Sequence, residues 1–449
     1  MLQKLYEYSP IFIQNLMVSL KGMQFRKERY NKEYYLEMER LRLIENEFDI
    51  QETRLNEFIH FIRKNSKYYE EVLKDSPNNF TINDLKTLPI LDKEIIRENI
   101  DEMLTRQDNI IKMGTGGSTG KSLVYYTHKS DISRKIAYLD FYKEKHGVRK
   151  GMRRVSIGGR VIVPNKQKRK IFWRFNKPLN QLLFSAYHAD GENLNYYIRK
   201  LNSFKPETID GFTTIIHRLA IYILNNDLEL NFKPIAIFPT AEAMTPEMKK
   251  DIESAFNCPV RNQYASSEGA PFITENTNGK LQISPATGIF ELEHIQDNIY
   301  ELIVTGFYTK TTPILRYKIG DSVELETELP KNYKQKDIKI KRIIGRNNDF
   351  LYSNERGIVT NVNLSTVIKA GGTSIIDSQF IQNNVNQIII NLIIDNKTNT
   401  IVLEKELIKS LNTRFGNSTE YIFNYVEEIA KTSGGKKRFT INNIEEFKE

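Results

Sequence analysis

Residues 112–129, KMGTGGSTGKSLVYYTHK, decide how the chain is read. Gly114, Gly116, Gly117 and Gly120 alternate with Thr115, Ser118, Thr119 and Lys121. Glycine lets main-chain N–H groups approach an anion closely and adopt positive φ. Successive N–H groups in such a turn form an anion-binding nest. Hydroxyls and one lysine add donors and charge, which is the equipment for holding a polyphosphate. Gly120-Lys121-Ser122 fits the end of a Walker A loop, but Thr115 stands where that pattern needs its first glycine. A Walker A loop also runs into a helix. Here Leu123-Val124-Tyr125-Tyr126-Thr127 is β-branched and aromatic and reads as a strand. A glycine-rich loop between two strands is a different device, and a plain hairpin turn is the alternative this stretch leaves open.

Downstream, helical and strand patterns alternate. Helices are expected over 131–144, 194–204 and 215–225, and from Pro246, behind the N-cap Thr245, to Phe256. Strands are expected at 155–159, 208–211 and 234–238. Such alternation predicts an α/β fold with helix-covered, mainly parallel sheets, which bind ligands at the carboxyl ends of their strands. Residues 281–344 switch to short strands and predict a small β-rich subdomain. Asn262–Gly269 reads as a polar turn. Upstream, residues 1–75 read as mostly helical, with Ile44, Phe48, Leu55, Phe58, Ile59 and Ile62 at helical spacing. Another helix is expected from about Asp92, after Pro89. Tyr6, Phe12, Ile13, Leu16 and Met17 precede the basic Lys21, Arg26, Lys27 and Arg29. A helix packed on the main domain is the expectation there; a membrane-surface helix is the alternative. Gly345–Asp349 reads as a domain boundary. Beyond it, strands are expected at 387–394 and 400–403, a helix at 404–415, and a basic loop at 432–438.

The 449 residues suffice for two or three domains. A mean hydropathy of −0.48 and the lack of a long apolar run argue against a transmembrane helix. The N-terminus reads as too polar for a signal peptide. A single cysteine, Cys258, excludes an intrachain disulfide and points to a reducing cytoplasm. The net charge is +9, but 65 basic residues are interspersed among 56 acidic ones and no nucleic-acid motif accompanies them. No nucleic-acid partner is expected; attraction to an anionic membrane surface or substrate stays open. A non-catalytic binder of nucleic acid or membrane is the rival of another class.

Four later motifs follow the glycine loop in order: Tyr264–Gly269 (YASSEG), Thr305–Asp321 (TGFYTKTTPILRYKIGD), Gly345-Arg346 and Ser433–Lys436 (SGGK). Together the five resemble the motifs of the adenylate-forming (AMP-forming) ligase superfamily. Pro10, Gln14, Tyr30 and Leu88–Lys93 (LPILDK) look most like its phenylacetate–CoA ligase branch, and within that the CapK-like proteins of capsule and exopolysaccharide synthesis. The resemblance implies ATP-dependent activation of a carboxylic acid as acyl-AMP, with pyrophosphate released and the acyl group passed to a thiol or amine. It implies a large domain, comprising a helical part (1–110) and an ATP/acyl-binding core (111–344), and a small mobile α+β lid (345–449). Coenzyme A is the acceptor of better-known relatives, and aryl-acid metabolism the alternative setting. The capsule resemblance suggests an amine or sugar acceptor.

By the same resemblance, Thr115, Gly116, Gly117, Ser118, Thr119, Gly120 and Lys121 would hold the pyrophosphate. Glu268 would bind Mg2+, Tyr264 would cover adenine, Asp321 would accept the ribose hydroxyls, and Arg346 would reach ribose or phosphate. Lys436 would bridge carboxylate and phosphate in the transition state, with Lys437 its neighbouring ambiguity. Arg316 reads as structural. Two departures stand out: Ala265 replaces a usual glycine, and Asn348 replaces a usual aspartate, leaving the hinge at Asn348 or Asp349. No cysteine lies between Gly269 and Glu293, so no zinc is expected. Trp173, His188 and His217 are acyl-pocket candidates, each with core packing as the alternative. The acid itself is not legible.

Overall fold

The computed structural model describes residues 2–114, 123–164, 167, 169–189, 191–242, 244–346, 350–355, 357–360, 364, 367–368, 370–371, 374–396, 398–430 and 438–444. Six helices come first: α1 (Leu2–Tyr8), α2 (Ile11–Arg29), α3 (Lys32–Arg42), α4 (Gln51–Asn65), α5 (Lys67–Val72) and α6 (Lys93–Met103). Asp92 caps α6 by accepting the Ile95 N–H at 2.8 Å, as its sequence suggested. Leu55, Phe58, Ile59 and Ile62 recur along one face of α4 and are buried in the largest core cluster. Each stabilises that contact by roughly 1.5–3 kcal/mol. Arg54, on the same helix, forms a buried ion pair with Glu37 of α3 at 2.7 Å. The Tyr308 hydroxyl donates to that carboxylate at 2.7 Å.

The arms of the glycine stretch, β1 (Ile111–Gly114) and β2 (Val124–Thr127), pair antiparallel with Gly114 opposite Val124. The loop itself, 115–122, lies outside the described residues. After α7 (Lys129–Lys145) come β3 (Arg154–Gly158), β4 (Trp173–Asn176), β5 (Gln181–Ser185), α8 (Leu194–Phe204), β6 (Thr208–Phe212), α9 (Thr213–Asn225), β7 (Ala236–Thr240) and α10 (Pro246–Phe256). The five strands form one sheet in the order β4-β5-β3-β6-β7. All neighbours are parallel except the edge strand β4. The α/β reading therefore holds.

Sequence reasoning passed over β4, because polar Arg174 and Asn176 occupy its buried positions. They face α2. Gln14 accepts from Arg174 Nε at 2.7 Å, Asn15 accepts the Phe175 N–H at 2.9 Å, and Ser19 accepts the Lys177 N–H at 3.2 Å. The α2 backbone meets the Asn176 side chain so closely that a Cβ on Gly22 would lie 1.9 Å from Asn176 Oδ1. The N-terminal helix is thus packed on the main domain.

A seven-stranded sheet follows: β8 (Gln263–Tyr264), β9 (Ile273–Glu275), β10 (Leu281–Ile283), β11 (Gly288–Gln296), β12 (Ile299–Gly306), β13 (Ile314–Leu325) and β14 (Ile340–Arg346), ordered β11-β12-β13-β14-β10-β9-β8. Gln263 and Tyr264, within the Asn262–Gly269 stretch expected as a polar turn, thus form a short strand. Among the described residues there follow the hairpin β15 (Phe350–Ser353) and β16 (Gly357–Thr360), then β17 (Ile375–Asn384), β18 (Gln387–Ile394), α11 (Thr400–Phe415), β19 (Glu420–Tyr425) and β20 (Thr440–Asn442). The last four strands make a sheet ordered β19-β18-β17-β20.

The strand expected at 400–403 is instead the first turn of α11. Asn399 caps it by accepting the Val402 N–H at 3.3 Å. Leu403, Leu407, Leu411 and Phe415 then share one buried face, a helical period that outweighs the β-branched pair Ile401-Val402. Arg218 of α9 pairs with Asp377 of β17 at 2.9 Å. No described helix is long and apolar enough to cross a membrane.

Candidate active site

Three of the sequence motifs meet around the start of α7. Tyr125, on the second arm of the glycine loop, donates its hydroxyl to the Ser267 carbonyl. The Tyr126 N–H donates to Thr312 Oγ1 at 3.0 Å. Asp131 on α7 accepts from both the N–H and the hydroxyl of Thr311, at 3.0 and 2.6 Å. The glycine-loop arm, the YASSEG turn and the TGFYTKTT loop are therefore tied into one unit.

Within that unit Tyr264 and Asp321, 57 residues apart, touch: the tyrosine hydroxyl donates to Asp321 Oδ2 at 2.6 Å. A bond of this length to a carboxylate lies in the charge-assisted range. Tyr264 lays its ring against the main core while its tip stays part-buried. Asp321 lies in β13 directly opposite Arg346 of β14. Arg316, in the same motif, is taken up structurally. Its guanidinium makes a two-pronged contact with Glu291, at 2.8 and 2.9 Å, and donates to the Leu88 carbonyl. Leu91 then bonds β13 on both sides, donating to Arg316 O and accepting from Lys318 N, each at 2.8 Å. This explains the LPILDK stretch as an added rung beside β13.

Glu268 is only 3% exposed. Burying a carboxylate is costly unless compensating groups surround it. Two neighbours sense its charge. Burial, then Glu268, pushes the Tyr125 hydroxyl pKa up. Burial pulls the Lys135 ammonium pKa down, while Asp131 and Glu268 counteract that pull. Gly269 makes this neighbourhood dense. Its φ is +101°, and a Cβ there would lie 2.3 Å from Thr309 Cγ2 and 2.7 Å from Lys135 Nζ. Glycine is the residue that meets both demands.

Mg2+ is typically held by one or two protein carboxylates together with substrate phosphates. A single buried carboxylate at Glu268 fits that pattern. Among the described residues no cluster of three or more His, Cys, Asp or Glu side chains is arranged around a metal-sized site.

Thr115, Gly116, Gly117, Ser118, Thr119, Gly120, Lys121, Asn348, Asp349, Lys436 and Lys437 lie outside the described residues. His217 pairs with Asp251 at 2.9 Å, and His188 bonds Ser185 at 2.8 Å while stacking on Phe172. Trp173 packs against Phe184. Lys135 and Asp131 escaped sequence reasoning. Their signal was present, since Asp131, Lys135, Tyr138 and Tyr142 recur along one side of α7, where charges on an otherwise buried side ask for partners.

Over 448 residues the chain is 62% identical to Protein CapK of Staphylococcus aureus, covering 99% of this chain and 100% of that protein. The chain belongs to the CapK family. Residues 351–443 match the CapK C-terminal domain. Among solved structures, 2-hydroxyisobutyryl-CoA ligase in the postadenylation state is similar at a TM-score of 0.65 and 13% identity, covering 87% of this chain and 88% of that one. The same ligase with 2-HIB-AMP also scores 0.65 at 13% identity, covering 88% of each chain. At that identity the likeness concerns the fold: this CapK family member has the architecture of an adenylate-forming ligase, with a C-terminal domain.

Proposed function

We propose that this CapK family protein condenses a carboxylic acid with ATP to an acyl-AMP and then transfers the acyl group to a thiol or amine. The observation that supports the reading is the Tyr264–Asp321 hydrogen bond, which brings together two motif residues far apart in the chain, while Glu268, four residues after Tyr264, is buried. In the first half-reaction a carboxylate oxygen attacks the α-phosphorus, the bond to the β-phosphate oxygen breaks, and pyrophosphate leaves. In the second, the acceptor's sulfur or nitrogen attacks the acyl carbon, loses its proton, and AMP leaves.

Asp321, oriented by Tyr264, accepts the ribose hydroxyls, and the Tyr264 ring lies against adenine. Thr115–Lys121 donate to the departing pyrophosphate, and Arg346 reaches ribose or phosphate. Glu268 would hold Mg2+, which neutralises phosphate charge when bound. Lys436 sits between carboxylate and α-phosphate and offsets their repulsion in the transition state. The division into 1–344 and a lid from 345, hinged at Asn348 or Asp349, lets that lysine enter and leave. The CapK resemblance and relative support a role in capsule or exopolysaccharide synthesis, and the 2-hydroxyisobutyryl-CoA ligase fold supports coenzyme A as a candidate acceptor.

The test is exchange of labelled pyrophosphate into ATP across aryl acids, amino acids and uronic acids, with added Mg2+. Exchange dependent on one acid establishes adenylation. Failure of the chain both to exchange and to bind ATP would overturn it.

A further inference from the structure

The N-terminal helices present a surface that the ligase reading does not use. Phe12, Leu16, Leu20 and Met23 follow one another at four-, four- and three-residue steps along α2, and each is more than half exposed. Leu5 and Tyr8 on α1 are exposed likewise. Spacing of three and four residues puts the α2 set on one side of the helix. The adjoining side is committed: Gln14, Asn15, Ser19 and Gly22 are bonded to or packed against β4 and the turn after it. The ridge therefore cannot be buried by rolling the helix.

Charge surrounds its C-terminal end. Lys21, Arg29 and Arg160 crowd the ring of Phe25, at 4.9, 4.9 and 5.2 Å. Burial, then the like charge of Arg160, pulls the Arg29 pKa down. One helical turn after Met23, Arg26 enters the lining of a cavity of about 290 Å³. Its other cations are Lys143, Arg149, Lys150, Arg154 and Lys177, against a single lining carboxylate among the described residues, Asp140. Asp140 already accepts from the Tyr34 hydroxyl at 3.0 Å, and Asp210, behind the lining, pairs with Lys143 and Arg154 at 3.3 and 3.6 Å. A substantial positive excess remains. Arg154, Asn180 and Thr208 begin or immediately precede three parallel strands, so the cavity lies at the amino ends of that sheet. Substrates of such sheets bind at the opposite, carboxyl ends.

We propose that this face docks on an anionic lipid surface, with the α1–α2 ridge entering the headgroup region and the basic cavity receiving a lipid phosphate. An apolar ridge joined to a cationic patch is the pattern of helices that lie on membranes, where buried apolar area and attraction to anionic lipid add. Each cation near such a surface strengthens attachment and makes it salt-sensitive.

The test is flotation of the full chain with vesicles of phosphatidylcholine mixed with phosphatidylglycerol, beside phosphatidylcholine alone. Three proteins are compared: wild type, Leu16→Glu/Leu20→Glu, and Arg149→Glu/Lys177→Glu. The substituted side chains are exposed, and thermal melts check that both variants fold. Expected are flotation of wild type with anionic vesicles only, weakening with salt, and loss of apparent partitioning by about tenfold or more in each variant. Absence of wild-type flotation overturns the proposal. Undiminished flotation of the leucine variant overturns ridge insertion, and undiminished flotation of the cavity variant overturns headgroup capture. Concentration-dependent dimerisation without vesicle binding, abolished in the leucine variant, would assign the ridge to a second copy of the chain and overturn the lipid proposal.

Discussion

Replacing Tyr264 by phenylalanine removes one oxygen and keeps the ring. That ring packs against the main core, so the fold should lose little. The oxygen donates to Asp321 at 2.6 Å, and Asp321 is buried. Net hydrogen bonds to a charged group contribute about 1.5–3 kcal/mol. Water reaches the part-buried hydroxyl, which places the effect near the lower end, about 1.5 kcal/mol or roughly tenfold in an equilibrium constant. If Asp321 receives the ribose and Tyr264 orients it, that energy appears in nucleotide affinity. Calorimetric titration with AMP should show Tyr264→Phe binding about tenfold more weakly, with the urea midpoint nearly unchanged. A double-mutant cycle with Asp321→Ala isolates the coupling, expected at about 1–2 kcal/mol. Unchanged AMP affinity in Tyr264→Phe, or coupling near zero, would refute the argument that this pair organises a ribose site.

Other outcomes follow from the same geometry. Lys436→Ala should lower acid-dependent pyrophosphate exchange by about 3–4 kcal/mol of transition-state stabilisation, several hundredfold, with ATP affinity little changed by equilibrium dialysis. Glu268→Gln should raise the Mg2+ concentration needed for half-maximal exchange; an unchanged requirement would remove Glu268 from the metal assignment. Glu37→Ala leaves the Arg54 guanidinium buried without its counter-charge, and urea unfolding should show a loss of about 3–5 kcal/mol. Gly269→Ala forces a Cβ to within 2.3 Å of Thr309 at φ +101°, so a stability loss of about 1–3 kcal/mol and reduced exchange are expected together.

The sequence by itself determined the elements whose signals are local. Asp92 and Thr245 each accept a main-chain N–H three residues on, and a cap of that kind needs no knowledge of the fold. The alternation of helix and strand from α7 to α10 likewise predicted a mainly parallel, helix-covered sheet. Motif order pointed to Tyr264, Glu268 and Asp321 without any coordinates. What only the tertiary structure decided depends on partners distant in the chain. The hydroxyl of Tyr264 meets Asp321 across 57 residues, and Lys135 matters because Gly269 leaves room for it beside Glu268. The edge strand β4 was hidden because its buried residues are polar and are satisfied only by α2, some 160 residues earlier. The same packing settled the N-terminal helix. Periodicity shows that a helix has an apolar side; it does not show which side the protein covers. Here β4 took the side carrying Gln14, Asn15, Ser19 and Gly22, and left Phe12, Leu16, Leu20 and Met23 facing outward.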